Sequence, residues 1–352
     1  MKEQLKFIKE HVVEAAEQLK PLKIVGGNSK AFLGRGITGT VVDISPYSGI
    51  ISYEPTELYI TVRAGTSLSE INNILSEQGQ MLAFDPPNVT DKTTIGGVVA
   101  TGLSGSRRPY SGSVRDYILG VRCINGLGKD LSFGGQVMKN VAGYDLSRLM
   151  TSAFGTLGII LEVSLKVVPI PELEISCCQS TTKEKALVSM RDLSAQAIPI
   201  SASCYDGKVL YVRLSGNKKS VKETSKKINF DKEDLDQNFW GELRDYKSPI
   251  FNTGINTWRI SVPTTANLDL GKDPFLIDWG GGLYWLNSER PAKEIFDLAR
   301  EAGGSAMLFR GTVQDQELFQ PLSKGLLSLH KRLKKAFDPH GILNPGKMYE
   351  SL

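Results

Sequence analysis

Residues 85–116 read DPPNVTDKTTIGGVVATGLSGSRRPYSGSVRD. Gly96, Gly97, Gly102, Gly105 and Gly112 are interleaved there with Thr and Ser hydroxyls. Small residues let a backbone approach a ligand closely, and glycine also reaches positive φ. With exposed amides and hydroxyls, such a stretch makes a cradle for phosphate. The alternative is a glycine-rich surface loop without a ligand. Three compatible segments elsewhere in the chain favour the cradle.

The first is Gly26-Gly27-Asn28-Ser29-Lys30, which follows the short strand Leu22-Lys23-Ile24-Val25. A strand feeding small residues gives a tight turn whose amides can face an anion. It is not a GxGxxG opening a helix, so a nicotinamide-binding Rossmann unit is a poor reading. No GxxxxGK[ST] segment occurs either. The second is Lys139–Leu146, and the third is Gly155-Thr156-Leu157-Gly158 running into the apolar strand Ile159–Val168.

Other periodicities organise the rest. Leu5, Ile8, Val12, Ala16 and Leu19 recur at helical spacing over residues 2–19, and Pro21 ends that helix. Val41–Ile44 and Leu58–Val62 are strands. Leu68–Gln78 is a helix, with Thr66 or Ser67 as N-cap and Gly79 as its stop. Tyr117–Asn125 is a strand and Leu146–Met150 a helix. After Pro169 and Pro171 the pattern changes. Strand-like runs (Val209–Leu214, Thr257–Val262, Phe275–Asp278) alternate with helix-like ones (Thr182–Leu193, Ala292–Ala302), and the polar segment 216–238 is read as surface. Such alternation predicts an α+β region with a mostly antiparallel sheet. A helix is expected over Gln314–Ala336. The chain of 352 residues thus divides into 1–170, 171–310 and 311–352.

Composition narrows the function. A net charge of +4 gives no case for nucleic acid. The basic cluster His330-Lys331-Arg332 with Lys334 and Lys335 is read as a solvated helix face. Cys123, Cys177, Cys178 and Cys204 form no CxxC pair, which fits reduced thiols in a cytoplasmic protein and supplies no iron–sulfur motif. The N-terminal segment has no signal-peptide apolar core, and no apolar run approaches the roughly 18 residues that span a bilayer.

The order of these segments resembles the FAD-binding domain of the vanillyl-alcohol-oxidase/PCMH superfamily over about residues 20–170. The elements are strand–GGNSK, PP-x₇-IGG at 86–97, Gly112-x₃-Asp116, KNVAGYDL and GTLGII. KNVAGYDLSRLM at 139–150, Asp278-Trp279-Gly280-Gly281 and FDPHGILNPGKMY at 337–349 make the chain most similar to the smaller, E-type FAD-binding subunits of bacterial glycolate oxidase/dehydrogenase. The resemblance implies a PCMH-type two-lobed FAD-binding domain, an α+β cap domain and a C-terminal segment returning to the FAD domain. It assigns Gly26, Gly27, Asn28 and Ser29 to a first pyrophosphate turn. Pro86, Thr94, Ile95, Gly96 and Gly97 belong to a second. Thr101, Gly102, Ser104 and Gly105 continue along the phosphate and ribityl side, Gly155, Gly158, Ile159 and Ile160 lie near the adenosine half, and Asn344 returns from the C-terminal motif.

Two departures from the family pattern follow. Asn28 stands where relatives commonly have glycine, and asparagine tolerates the left-handed region better than most residues. Covalent attachment in relatives uses His or Cys in these loops, and neither occurs in 26–36 or 85–116, so FAD is expected to be noncovalent. Catalytic 2-hydroxyacid relatives carry a His cluster in the second domain, whereas His11, His330 and His340 all lie outside 172–305 and no metal site is expected. The catalytic residues are left unknown. Arg259 or Arg310 is a candidate cation for a substrate carboxylate, Tyr144 a candidate flavin neighbour, and ordinary ion pairs or core packing are the alternatives. The Trp279–Gly282 run is either a binding loop or a tight connection between strands.

The resemblance implies an FAD subunit of a 2-hydroxyacid (glycolate) dehydrogenase complex. Its partners would be a larger flavoprotein subunit and an iron–sulfur subunit passing electrons toward quinone, with any membrane contact made through a partner. A self-sufficient FAD-dependent dehydrogenase and a structural subunit with a little-used flavin are the alternatives.

Overall fold

The structure, a computed structural model, describes residues 2–135, 145–228, 230, 238–313 and 317–352. The chain forms two compact units. The first comprises Met1–Leu103, Ser113–Pro169 and Pro321–Leu352, and the second Ser104–Gly112 with Ile170–Gln320.

The first unit opens with helix α1 (Lys2–Gln18), which buries Ile8, Val12 and Ala15 on one face. Strands β1 (Leu22–Val25) and β2 (Thr40–Asp43) form a parallel pair. Strands β3 (Ile50–Glu54), β4 (Tyr59–Arg63), β6 (Ile118–Ile124), β7 (Asp130–Gly134) and β8 (Ile159–Lys166) form an antiparallel sheet in the order β3-β4-β8-β6-β7. β8 lies at its centre and is buried at every position except Glu162 and Lys166, which explains its mostly apolar sequence. Two short strands, β5 (Gln80–Met81) and β9 (Val168–Pro169), pair separately.

Helix α2 (Leu68–Glu77) starts at Ser67, whose hydroxyl accepts from the Glu70 amide at 3.1 Å, and ends before Gly79 at φ +62°. Residues 95–101 form a third helix, α3 (Ile95–Thr101), where composition pointed only to a glycine-rich cradle. Thr94 caps it, Gly102 ends it at φ +63°, and Val98 and Val99 are buried beneath it. Glycine is unfavourable in a helix by roughly 1 kcal/mol relative to alanine. Gly96 is nonetheless needed, because a Cβ there would stand 2.8 Å from the Ala64 Cβ and 2.9 Å from the Ala64 carbonyl oxygen.

The second unit is a seven-stranded antiparallel sheet with helices, the expected α+β architecture. Its strands are β10 (Leu173–Ser180), β11 (Ile200–Tyr205), β12 (Val209–Gly216), β13 (Thr257–Ser261), β14 (Phe275–Asp278), β15 (Leu283–Asn287) and β16 (Ser305–Arg310). They lie in the order β10-β12-β11-β14-β15-β13-β16. Helices α4 (Lys183–Ser194) and α5 (Lys218–Ile228) pack with it, as does α6 (Ala292–Glu301), which buries Ala292, Ile295, Phe296 and Ala299.

The last helix, α7 (Lys324–Phe337), belongs to the first unit. It begins ten residues later than the periodicity predicts. Leu318 and Phe319 instead pair with β16, where the Leu308 amide donates to the Leu318 carbonyl at 2.7 Å. Pro321 then interrupts the chain, and the Ser323 hydroxyl caps the helix. The expected start at Gln314 lies outside the described residues.

Candidate functional site

A cleft in the first unit encloses about 1060 Å³ of non-atom space, open solvent included. Four segments wall it: β1 with the turn that follows, the start of α3, the loop entering β8, and the C-terminal motif.

The turn after β1 is glycine for steric reasons. A Cβ on Gly26 would sit 2.6 Å from the Thr94 hydroxyl, and one on Gly27 only 1.4 Å from the Lys92 carbonyl oxygen. The turn and the approach to α3 therefore touch through bare backbone, and Thr93 Oγ1 reaches Ser29 Oγ at 3.1 Å. Asn28 adopts φ +54°, the left-handed conformation its side chain tolerates.

The C-terminal motif holds the opposite wall. Asn344 Oδ1 accepts from the Ile24 amide at 2.9 Å, and its Nδ2 donates to the Phe154 carbonyl at 2.7 Å. One side chain thereby ties β1 to the loop entering β8, and Gly155 (φ +72°) leaves room for it. Behind it, the buried Lys334 ammonium donates to the carbonyls of Thr156 and Leu343 at 2.8 and 2.7 Å and pairs with Asp338 at 2.8 Å. Burial pulls the Lys334 ammonium below its ordinary range, and Asp338 opposes that shift. Asp338 also accepts from the Ile342 and Leu343 amides. The FDPHGILNPG sequence is thus a braced loop.

Lys23, Lys30 and Lys347 line the cleft, and among the described residues no carboxylate does. Lys30 is 8% exposed. Burial, and then repulsion from Lys23, lowers the Lys347 pKa, and Lys347 Nζ donates to the Arg35 carbonyl at 3.0 Å. Ile24, Val25, Ile37, Ile44, Phe154 and Ile160 supply apolar wall. Such a site favours a ligand with both negative charge and a large apolar part.

Gly26, Gly27, Asn28, Ser29, Thr94, Gly96, Gly97, Thr101, Gly155, Gly158, Ile160 and Asn344 all line this cleft. Six expected residues do not. Ile95 and Ile159 are fully buried core, and Pro86 is buried. Gly102 is the stop of α3, where a Cβ would meet Ser152 Oγ at 1.9 Å. Ser104 and Gly105 fall in the second unit, where the Gly105 carbonyl accepts from the Trp279 indole at 3.0 Å. The three lysines escaped the sequence reading, although Lys30 stands inside GGNSK and Lys347 inside the C-terminal motif.

Other candidates also resolve. Trp279–Gly281 forms a tight turn joining β14 to β15, with Trp279, Gly280 and Gly281 all at positive φ. Arg310 donates to the Phe251 carbonyl at 2.8 Å and to Asn252 Oδ1 at 3.2 Å. His11 Nδ1 lies 3.0 Å from the Phe7 carbonyl on its own helix, and His340 is exposed. Tyr144 lies outside the described residues. Among the described residues no cluster of His, Cys, Asp or Glu is placed to hold a metal ion, and no helix is long and apolar enough to cross a membrane.

Residues 5–134 match the FAD binding domain family, and residues 287–348 match the C-terminal domain of FAD linked oxidases. The chain is 45% identical over 344 residues to glycolate oxidase subunit GlcE of Escherichia coli (strain K12), covering 97% of each. The chain belongs to this FAD-linked oxidase family. This FAD-linked oxidase is also similar to glycolate oxidase subunit GlcD of Bacillus subtilis (strain 168), 25% identical over 88% of this chain and 79% of that one. A D-lactate dehydrogenase of Anaerostipes hadrus is 32% identical over 39% of this chain and 29% of its own length. The solved alkyldihydroxyacetonephosphate synthase superposes with a TM-score of 0.67 at 19% identity, over 96% of this chain and 74% of its own, and shows the shared fold. FAD is the cofactor of this oxidoreductase. The cleft fits it: three lysines suit a diphosphate, the bare glycine turn admits close approach, and the apolar walls suit ring systems.

Proposed function

We propose that the chain is the FAD-bearing subunit of a multisubunit 2-hydroxyacid dehydrogenase that oxidises glycolate to glyoxylate. The identity with GlcE over 97% of both chains carries this reading. A larger flavoprotein subunit and an iron–sulfur subunit would complete the complex and pass electrons toward quinone. The similarity to GlcD supports an assembly of related flavoprotein chains. The four cysteines of this chain are all buried and none forms a disulfide or a CxxC pair, which supports placing an iron–sulfur carrier on another chain. Membrane contact, in this reading of a cytoplasmic subunit, is made through a partner.

When bound, FAD supplies the electron acceptor. This chain's own part is binding and orientation. Lys23, Lys30 and Lys347 provide positive charge for the diphosphate. The 26–29 turn offers backbone amides and the Ser29 hydroxyl at close range, Thr94, Gly96 and Gly97 wall the approach with little bulk, and Gly155, Gly158 and Asn344 close the other wall. Among the described residues the lining contains neither His nor Cys, which supports noncovalent binding.

The purified chain is examined anaerobically by visible absorbance, with and without its partner subunits. A flavin spectrum that glycolate bleaches only with partners present, and flavin left in solution after acid precipitation, is the expected result. Bleaching of the isolated chain by glycolate would show a self-sufficient enzyme. A chain without flavin would show a structural subunit.

A further inference from the structure

Helix α7 leaves one long side uncovered. Of its 14 residues only Lys334 and Phe337, near its C-terminal end, are buried. Phe337 packs edge-on to Phe133, and His330 edge-on to Tyr349, which fixes the side that meets the first unit. A second stripe runs along the helix beside it. Leu326, Leu329, Leu333 and Ala336 follow at intervals of three and four, the spacing of a packing seam. Leu326 is 50% exposed and Leu329 43%, while Ala336 is exposed and Leu333 half-buried. An apolar stripe on a helix ordinarily faces a core, yet the core-facing side of α7 is the other one.

Positive charge borders the seam on its free flank. At about 3.6 residues per turn, Arg332, Lys335, Lys324 and Lys331 form a row beside the leucines, and with Leu327 and Ser328 they line a shallow groove. All four are exposed and, among the described residues, make no ion pair. The helix carries no Asp or Glu. The basic cluster that reads in sequence as a solvated face is thus half of a two-part surface.

The two parts select what covers them. A second copy of this chain would bring the same bases and no acids. A bilayer takes a helix whose apolar face sinks about 5–10 Å into it, and Leu326 and Leu329 stand only half clear of their own surface. A second helix satisfies both rows. Its apolar side chains pack between the leucines, and acids on one flank pair with the bases.

We propose that the outer face of α7 is a docking site for an amphipathic helix of a partner protein, with apolar residues at three- and four-residue spacing and Asp or Glu along one flank. This deepens the function proposed above and rests on it for the partner's identity, a subunit of the same complex.

The test co-expresses the full FAD-loaded chain with the larger flavoprotein and iron–sulfur subunits and measures their association. In Leu326→Glu/Leu329→Glu the affinity falls about tenfold or more, as expected for charge placed at the centre of an interface, with flavin content unchanged. Lys331→Glu/Arg332→Glu weakens it as well, and decides the matter should the leucine variant lose its flavin. A photo-crosslinker at Leu329 is expected to label an acidic helical segment of one partner subunit. Association unaltered in both variants, or no association of the wild-type chain, overturns the site. So does a Leu329 crosslink to a second copy, or binding to phosphatidylglycerol vesicles that the leucine variant abolishes. Glycolate oxidation is read separately. A complex that assembles through α7 without oxidising glycolate keeps this site and loses the proposed function, and one that oxidises glycolate with assembly indifferent to both variants does the reverse.

Discussion

The cleft of the first unit and the arginine cluster of the second present positive charge in opposite ways. The cleft sets three lysines around a backbone from which side chains have been removed at Gly26, Gly27 and Gly96. The cluster sets Arg108 and Arg259 over the fixed Trp279 indole, 4.3 and 4.9 Å from its ring centroid. A lysine is a compact point charge and a bare turn offers amides, a pairing suited to phosphate oxygens. An arginine held by its face offers a planar fork, suited to carboxylate. Bulk is excluded in one region and required in the other.

The same contrast explains what the sequence reveals. The cleft is made of contiguous motifs, and the glycines of its first turn are forced by contacts with the second motif and its approach, Gly26 against Thr94 and Gly27 against Lys92. Twelve of the expected residues line it for that reason. The cluster joins Arg108, Arg259 and Trp279 from distant parts of the chain, and only β13–β15 pairing and the 104–112 segment bring them together. Composition across 85–116 is uniform, yet the chain passes from one unit to the other after Leu103. Gly105 looks like Gly97 in sequence and differs only in its partner, the Trp279 indole. The helical start of α3 was hidden because Gly96 answers to Ala64 and not to local propensity.

If the two regions are separately built, damage to one should spare the other. The largest effect is expected from Lys334→Met. It removes the ammonium that braces Thr156, Leu343 and Asp338 and leaves a buried carboxylate unpaired. Breaking such a pair destabilises by about 3–5 kcal/mol. Flavin release on heating, followed by flavin fluorescence, should occur at a clearly lower temperature, with the emission maximum of the tryptophans, all of them in the second unit, unchanged at low temperature. A variant that kept its flavin but shifted that maximum would break the comparison.

A smaller effect is expected at Asp130, which touches neither region. Its carboxyl is held below the ordinary value of 3.8 by hydrogen bonds from Arg122, with Lys9 assisting. A depressed folded pKa contributes stability that is complete well above pH 3.8 and is lost as pH falls through the folded value. These side chains are partly solvated, so Asp130→Asn should cost only about 0.5–1 kcal/mol at neutral pH. Denaturant titrations of wild type and variant should converge in acid, while flavin content and the tryptophan emission maximum stay the same. A difference that persisted below the folded pKa would remove the ion pair as its cause.

The proposed function requires the first unit's cleft to hold FAD through close backbone approach. Gly27→Ala tests it most directly, because the added methyl has the Lys92 carbonyl oxygen 1.4 Å away and cannot fit without moving the turn from the start of α3. The measurement is the ratio of flavin to protein absorbance in purified Gly27→Ala, beside Arg259→Gln as a control from the other region. Gly27→Ala is expected to lose most of its flavin while Arg259→Gln keeps a full complement. Full flavin content in Gly27→Ala would contradict that requirement.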